Sequence, residues 1–139
     1  MANQSPIGIR AMGSTLSKLI LDVADLDRSL EFYSGVLGLR VASTDTWDGH
    51  RVARLLAGTA EILLLQQPKH EQNPALDRSG GLVINLMVSG LAELAKAIEL
   101  SRFHVLRGLQ NALWGERTFL VADPDGYAVL LSEPVETIH

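Results

Sequence analysis

The sequence contains no cysteine among its 139 residues, and this absence removes several kinds of chemistry. Disulfide bonds, thiolate nucleophiles and thiolate metal sites are all excluded. Aromatic residues are scarce as well, at 5% of the chain. The two tryptophans, Trp47 and Trp114, are therefore the main candidates for stacking on a planar ligand, although half-buried structural positions would also suit them.

Long apolar runs and runs of one charge sign are also missing. No apolar run approaches the ~20 residues that a membrane span needs. The first fifteen residues lack the charged start and apolar core of a secretion signal. The formal net charge of -4 gives no electrostatic reason to expect a nucleic-acid partner. We therefore expect a cytoplasmic protein that binds neither nucleic acid nor a membrane.

Between Leu19 and Leu39 the sequence predicts a strand, a tight turn and one amphipathic helix. Apolar residues alternate through the first part, which indicates a strand with one buried face. Asp25 then stands where a helix N-cap is expected. Apolar residues follow at spacings of four, three and four, and Gly38 suits the end of the helix.

The same order of elements returns in the second half of the chain, at a spacing of about 65 residues. A strand is predicted over 82–88, and a helix begins at Ser89 or Gly90. In the first half Asp48-Gly49 predicts a hairpin turn, and in the second half residues 123–126 (DPDG) predict another. A short strand is expected over 103–106, followed by a loop over 108–115.

These patterns predict an α+β fold of two βαβββ modules, with curved mixed sheets around a cleft. The expected divisions are a flexible lead-in over 1–15, a first module over 16–67, a linker over 68–81, a second module over 82–134 and a tail over 135–139. We expect the two modules to form one structural domain.

Two segments, LDVADLDRSLEFYSGVLGLRV at 21–41 and WGERTFLVADPDGYAVLLSEP at 114–134, resemble the vicinal oxygen chelate superfamily. This is the group of glyoxalases, bleomycin-resistance proteins and extradiol dioxygenases. The resemblance implies paired βαβββ modules and a homodimer. It also implies a divalent metal held by up to four inward-facing His, Glu or Gln side chains.

The positions that would hold that metal are occupied by unsuitable side chains. They correspond to Lys18, Leu64, Val83 and Leu130. A divalent cation needs several lone-pair donors around one point, and an ammonium group repels it. We therefore expect no metal and no cofactor.

The cleft is instead expected to bind a small organic ligand on an apolar floor with a few polar groups. Each candidate contact has an alternative structural role; Lys18, for example, can pair with Asp22 on the same strand face. The predicted ligand contacts are Lys18, Asp22, Trp47, Leu64, Gln66, Val83, Asn85, Met87, Trp114 and Leu130.

Several functions agree with these features. The first is metal-independent binding of a hydrophobic, planar molecule, which would sequester an antibiotic or metabolite as bleomycin-resistance proteins do. The second is a metal-independent isomerase, cyclase or lyase with Lys18, Asp22 or His50 as acid or base. A metal-dependent glyoxalase or dioxygenase is disfavoured by the missing ligands. Whether the chain is an enzyme stays open at this point.

Overall fold

The computed structural model describes residues 8–10, 12–14, 16–47, 49–66, 82–111 and 115–135, without the side chain of Trp47. The elements follow the order βαβββ twice, as predicted. The strands are β1 Leu19–Val23, β2 Arg40–Trp47, β3 His50–Ala57, β4 Ala60–Gln66, β5 Val83–Met87, β6 Val105–Asn111, β7 Glu116–Ala122 and β8 Ala128–Pro134. The helices are α1 Leu26–Leu30, continued by a π-helical segment Glu31–Val36, and α2 Leu91–Glu99.

Each module forms one four-stranded mixed sheet. The strand orders are β1-β4-β3-β2 in the first module and β5-β8-β7-β6 in the second. The first strand of each module pairs in parallel with the last, and Leu21 opposite Leu64 corresponds to Leu86 opposite Leu131. Hairpins make the other pairs antiparallel, and the two modules therefore have the same topology.

A side chain from the last strand of each module helps to cap the helix of that module. In the first module Asp25 Oδ1 accepts from the backbone N–H groups of Asp27 and Arg28, at 3.0 and 3.3 Å, which confirms the predicted N-cap. Gln66 Oε1 accepts from the N–H of Leu26 at 2.7 Å. The helix pair ends before Gly38, whose φ of +77° suits a residue without a Cβ.

The second module uses a carboxylate for the same purpose. The N-cap of α2 is Gly90, which has no side chain to offer. Glu133 supplies the capping oxygens instead: its Oε2 accepts from the N–H of Gly90 at 2.8 Å, and its Oε1 accepts from the N–H of Leu91 at 3.3 Å. Glu133 and Gln66 occupy equivalent positions, each two residues beyond the paired leucine of its strand. A negative charge suits this place because it faces the positive end of the helix dipole.

One buried cluster joins both modules on the helix-facing sides of the sheets. It includes Leu21, Leu64, Phe119 and Leu131, none of which is more than 2% exposed. The alternate residues of the same strands lie on the opposite side of each sheet. Removal of these apolar side chains from water is the main stabilising contribution to the fold.

Polar contacts connect the DPDG turn of the second module, and the tyrosine that follows it, with the end of β1 and with the π-helical segment of the first module. Tyr33 Oη donates to Asp123 Oδ2 at 2.6 Å, and Asp125 Oδ1 accepts from the N–H of Ala24 at 2.9 Å. Tyr127 Oη donates to the carbonyl oxygen of Asp22 at 3.1 Å. These three contacts are called the junction below.

The structure differs from the sequence prediction mainly at β6. This strand covers Val105–Asn111, so the predicted short strand over 103–106 and the loop from 108 are wrong. β6 lies at the edge of its sheet and pairs with β7 through register shifts, and six of its seven residues are exposed. Such a strand shows no alternation of apolar and polar residues in the sequence. Asp48 and the predicted linker over 68–81 lie outside the described residues.

Candidate ligand-binding cleft

Each sheet has a face that the helices leave uncovered, and we call it the open face. Along β1, Leu21 is 2% exposed, whereas its neighbour Ile20 on the open face is 59% exposed. Along β5, Ile84 is 4% exposed, whereas Val83 and Met87 are 55% and 68% exposed. Both edge strands therefore present apolar side chains to solvent, a feature typical of ligand or protein contact surfaces.

A cavity of about 560 Å³ lies between the modules, lined by residues before and within β1 and along β5. Four of the predicted ligand contacts line it: Lys18, Val83, Asn85 and Met87. Leu16, Leu39 and Ile62 add apolar surface to its wall. The cavity thus combines a largely apolar lining with one ammonium group, one carboxamide, the carboxylate of Glu61 and the hydroxyl groups of Ser17 and Thr59.

Two predicted contacts on β4 belong elsewhere. Leu64 has no exposed surface and pairs with Leu21 in the core. Gln66 caps α1 with its side-chain oxygen. The open face of β4 carries Leu63 and Leu65, because Leu63 pairs with Ile20 there. The prediction was wrong by one residue because the run ILLLQ has no polar alternation from which the orientation of its side chains can be derived.

The remaining predicted contacts have varied positions. Leu130 lies on the open face of β8, opposite Asn85, and is half-buried. Asp22 pairs with Leu65 on the open face of the first module, and its backbone carbonyl oxygen takes part in the junction. The side chain of Trp47 and the whole of Trp114 lie outside the described residues, so the proposed aromatic walls stay a prediction.

The three candidate catalytic residues occupy different places. Lys18 directly precedes β1, and Asp22 lies near the end of that strand, about 13 Å further along at the usual rise of a strand. His50 starts β3, and its Nδ1 lies 3.0 Å from the carbonyl oxygen of Gln66. Because a carbonyl oxygen only accepts, Nδ1 carries the proton in this contact and Nε2 is the acceptor of the neutral ring.

Three side chains with shifted pKa values, Asp123, Tyr33 and Glu133, belong to the scaffold. Burial raises the pKa of Asp123, although hydrogen bonds from Tyr33, Tyr127 and Asp125 oppose the shift. Burial also raises the pKa of Tyr33, and the nearby Asp123 carboxylate adds to the effect. The N–H of Gly90 lowers the pKa of Glu133. These groups form the junction and a helix cap and do not line the cavity.

Two residues on the open face of the second module escaped the sequence analysis. Arg107 pairs with Leu120 across β6 and β7, and Gln110 pairs with Thr118. With the Gln110 amide turned so that its oxygen faces Arg107, that oxygen accepts from Nε at 3.2 Å and from Nη1 at 3.3 Å. Both residues were missed because the strand was predicted to end before them.

A family model for the Glyoxalase/Bleomycin resistance protein/Dioxygenase superfamily matches residues 15–131. The chain belongs to this superfamily. Members of the superfamily bind small molecules and often form dimers. No match was found among curated protein sequences.

Solved structures of low sequence identity share the fold. A glyoxalase family protein from Bacillus cereus has a TM-score of 0.75 at 14% identity, covering 95% of this chain and 100% of its own. The structure of UcmS2 has a TM-score of 0.69 at 18% identity, covering 87% of this chain and 98% of its own. The structure of TioX from Micromonospora sp. ML1 has a TM-score of 0.61 at 21% identity, covering 86% of this chain and 99% of its own. At these identities the likeness shows the fold alone.

The side chains at the positions where the resemblance places metal ligands do not fit a metal ion. With the β4 position corrected to the open face, they are Lys18, Leu63, Val83 and Leu130, and none supplies a carboxylate or an imidazole. Across the described parts of the chain, no three His, Asp or Glu residues are grouped so that they could hold a metal. The helices described there are also too short and too polar to cross a bilayer.

Proposed function

We propose that this chain binds a planar, hydrophobic small molecule in the cleft between its modules, without a metal ion, and thereby sequesters it. The observation that carries the proposal is the apolar character of the former metal positions. Three of the four are leucine or valine, on faces that a metalloenzyme would line with charged or imidazole ligands. An apolar surface of this kind favours contact with a ring system over coordination.

The size of the cavity agrees with this function. Its volume of about 560 Å³ falls within the roughly 300–1,000 Å³ that is typical of sites for small molecules. The Lys18 ammonium can attract an anionic ligand group, and the Asn85 amide can donate a hydrogen bond. Few polar groups on an apolar lining orient a ligand without a large desolvation cost.

We further propose that two copies of the chain form a homodimer that covers part of the open faces. Ile20, Val83 and Met87 are exposed at the adjacent edges of the two sheets, and a second copy would remove them from water. Light scattering should give twice the 15.1 kDa of one chain. A monomer at micromolar concentration contradicts this part of the proposal.

Binding is tested with purified protein and a panel of planar aromatic compounds, followed by backbone amide NMR. The expected result is saturable shifts at Val83, Asn85 and Leu130. Val83→Asp should weaken binding, whereas Leu100→Asp is the matched control because Leu100 is 85% exposed after α2, outside the cavity lining. Equal binding by both variants contradicts the proposed cleft.

Metal content gives an independent test of the same proposal. Protein purified without chelators is analysed by plasma mass spectrometry before and after incubation with Fe(II), Ni(II), Mn(II) or Zn(II). We expect less than a tenth of an equivalent after buffer exchange, because the donor set is unsuitable. A stoichiometric metal that Leu130→Arg displaces would overturn the metal-independent function.

A metal-independent isomerase, cyclase or lyase is the second candidate, and the position of Lys18 favours it. An amine that lines an apolar cavity can act as a base or nucleophile toward a ligand bound there. The test is NMR detection of product from any compound that binds. Lys18→Ala should then abolish turnover and keep binding; turnover unchanged in this variant excludes the role.

A further inference from the structure

Arg107 differs from most other arginines of the described structure in its partner. Arg51, Arg54, Arg102 and Arg117 pair with the carboxylates of Asp27, Glu61, Glu31 and Glu133. Arg107 is exposed and contacts the amide oxygen of Gln110 instead. That contact uses Nε and Nη1, so the edge formed by Nη1 and Nη2 stays available for another acceptor.

Register places Arg107 at one end of a row that crosses the open face of the second module. Arg107 pairs with Leu120, Leu120 with Leu130, and Leu130 with Asn85. The row therefore has a guanidinium at one end, two half-buried leucines in the middle and a carboxamide at the other end. Three strand spacings separate the end residues, about 14 Å between Cα atoms.

The Asn85 amide has a fixed orientation. Ser132 is 1% exposed, and its Oγ donates to Asn85 Oδ1 at 3.0 Å. The carbonyl oxygen of the amide is therefore engaged within the sheet, and the NH2 group is the part of Asn85 left to donate to a ligand. Asn85 also lines the cavity between the modules, which makes the row continuous with that cavity.

We propose that the ligand is an aromatic carboxylate, with its ring on Leu120 and Leu130 and its carboxylate held by Arg107. This inference rests on the proposed binding function and adds the chemical class of the ligand. The planar fork of a guanidinium matches a carboxylate with two parallel hydrogen bonds. A fused bicyclic ring and the two end side chains together span the row.

The test compares 2-naphthoate with its neutral analogue 2-naphthamide, each titrated into the full chain and followed by amide NMR. Both probes should shift Leu120 and Leu130, and naphthoate should bind about tenfold more tightly, since it gains a charge-assisted hydrogen bond. Arg107→Ala should remove that advantage and leave naphthamide within about twofold. Arg107→Lys should restore only part of it, because an ammonium lacks the fork.

Arg28→Ala is the matched control, since it removes the same charge from the exposed surface of α1. It should leave both affinities unchanged. Equal binding of the two probes, or an equal loss for both in Arg107→Ala, overturns the assignment of the carboxylate and leaves the proposed function intact. If neither probe shifts Leu120 or Leu130, this inference fails, whereas the proposed function fails only if no compound of the panel shifts Val83, Asn85 or Leu130.

Discussion

Replacing Tyr33 with phenylalanine should lower the free energy of unfolding by about 2 kcal/mol, because the change removes one buried, charge-assisted hydrogen bond. Tyr33 has no exposed surface, and Asp123 is 4% exposed. The Tyr33 Oη to Asp123 Oδ2 distance of 2.6 Å is that of a strong bond. The phenyl ring keeps the packing against Phe32, whose ring centroid lies 5.0 Å away.

The magnitude follows from what the substitution leaves behind. Asp123 Oδ1 still accepts from the N–H groups of Asp125 and Tyr127, at 2.8 and 2.9 Å. Oδ2 loses the donor from Tyr33 in a buried place, and hydrogen bonds to charged groups contribute roughly 1.5–3 kcal/mol. A large cavity term is absent because only one oxygen atom is removed.

Urea unfolding followed by circular dichroism measures the effect. With a slope near 2 kcal/mol per molar urea, the midpoint should fall by about 1 M. A double-mutant cycle with Asp123→Asn separates the pair from the other effects of each substitution, and its coupling should exceed about 1 kcal/mol. A loss below about 0.5 kcal/mol together with zero coupling refutes the reasoning, because the hydrogen bond would then contribute nothing to stability.

Three further predictions concern the scaffold. Leu64→Ala should cost about 3 kcal/mol in urea unfolding, whereas Leu63→Ala on the open face should cost about 1 or less; similar losses would contradict the corrected orientation of β4. Burial raises the pKa of Asp123 in the folded state, so the native state binds more protons than the unfolded state between the two pKa values. The stability that this group contributes is present at low pH and falls as the pH rises through the folded pKa. When the free energy of unfolding in urea is measured at a series of pH values, the Asp123→Asn variant should not show that decline. Asp25→Ala should cost about 1 kcal/mol through the lost helix cap, and Asp45→Ala, on an exposed strand, should stay within about 0.5 kcal/mol in thermal melts.

Local signals were sufficient for most of the fold. Asp25 before an apolar stripe marked the start of the first helix, and the offset between the two halves predicted the second module in the correct order. These features lie within a few residues of the structure that they specify. They could therefore be interpreted without knowing what packs against them.

The site was harder to predict because it depends on strand orientation and on distant partners. The apolar run at Leu63 and Leu64 carries no alternation, so nothing local distinguishes the core side from the open side. The role of Gln66 as a helix cap depends on a backbone N–H forty residues earlier. Arg107 escaped because an edge strand of exposed residues looks like a loop in the sequence.

The junction has a consequence for the order in which the chain can fold. Asp22, Ala24 and Tyr33 lie near the start of the chain, yet their partners in the junction are 105, 101 and 90 residues away. During synthesis the first module leaves the ribosome well before those partners exist. The first helix can therefore complete its junction contacts only after the DPDG turn of the second module has been synthesised. Closing the chain between these contacts should make folding slow for a chain of this size.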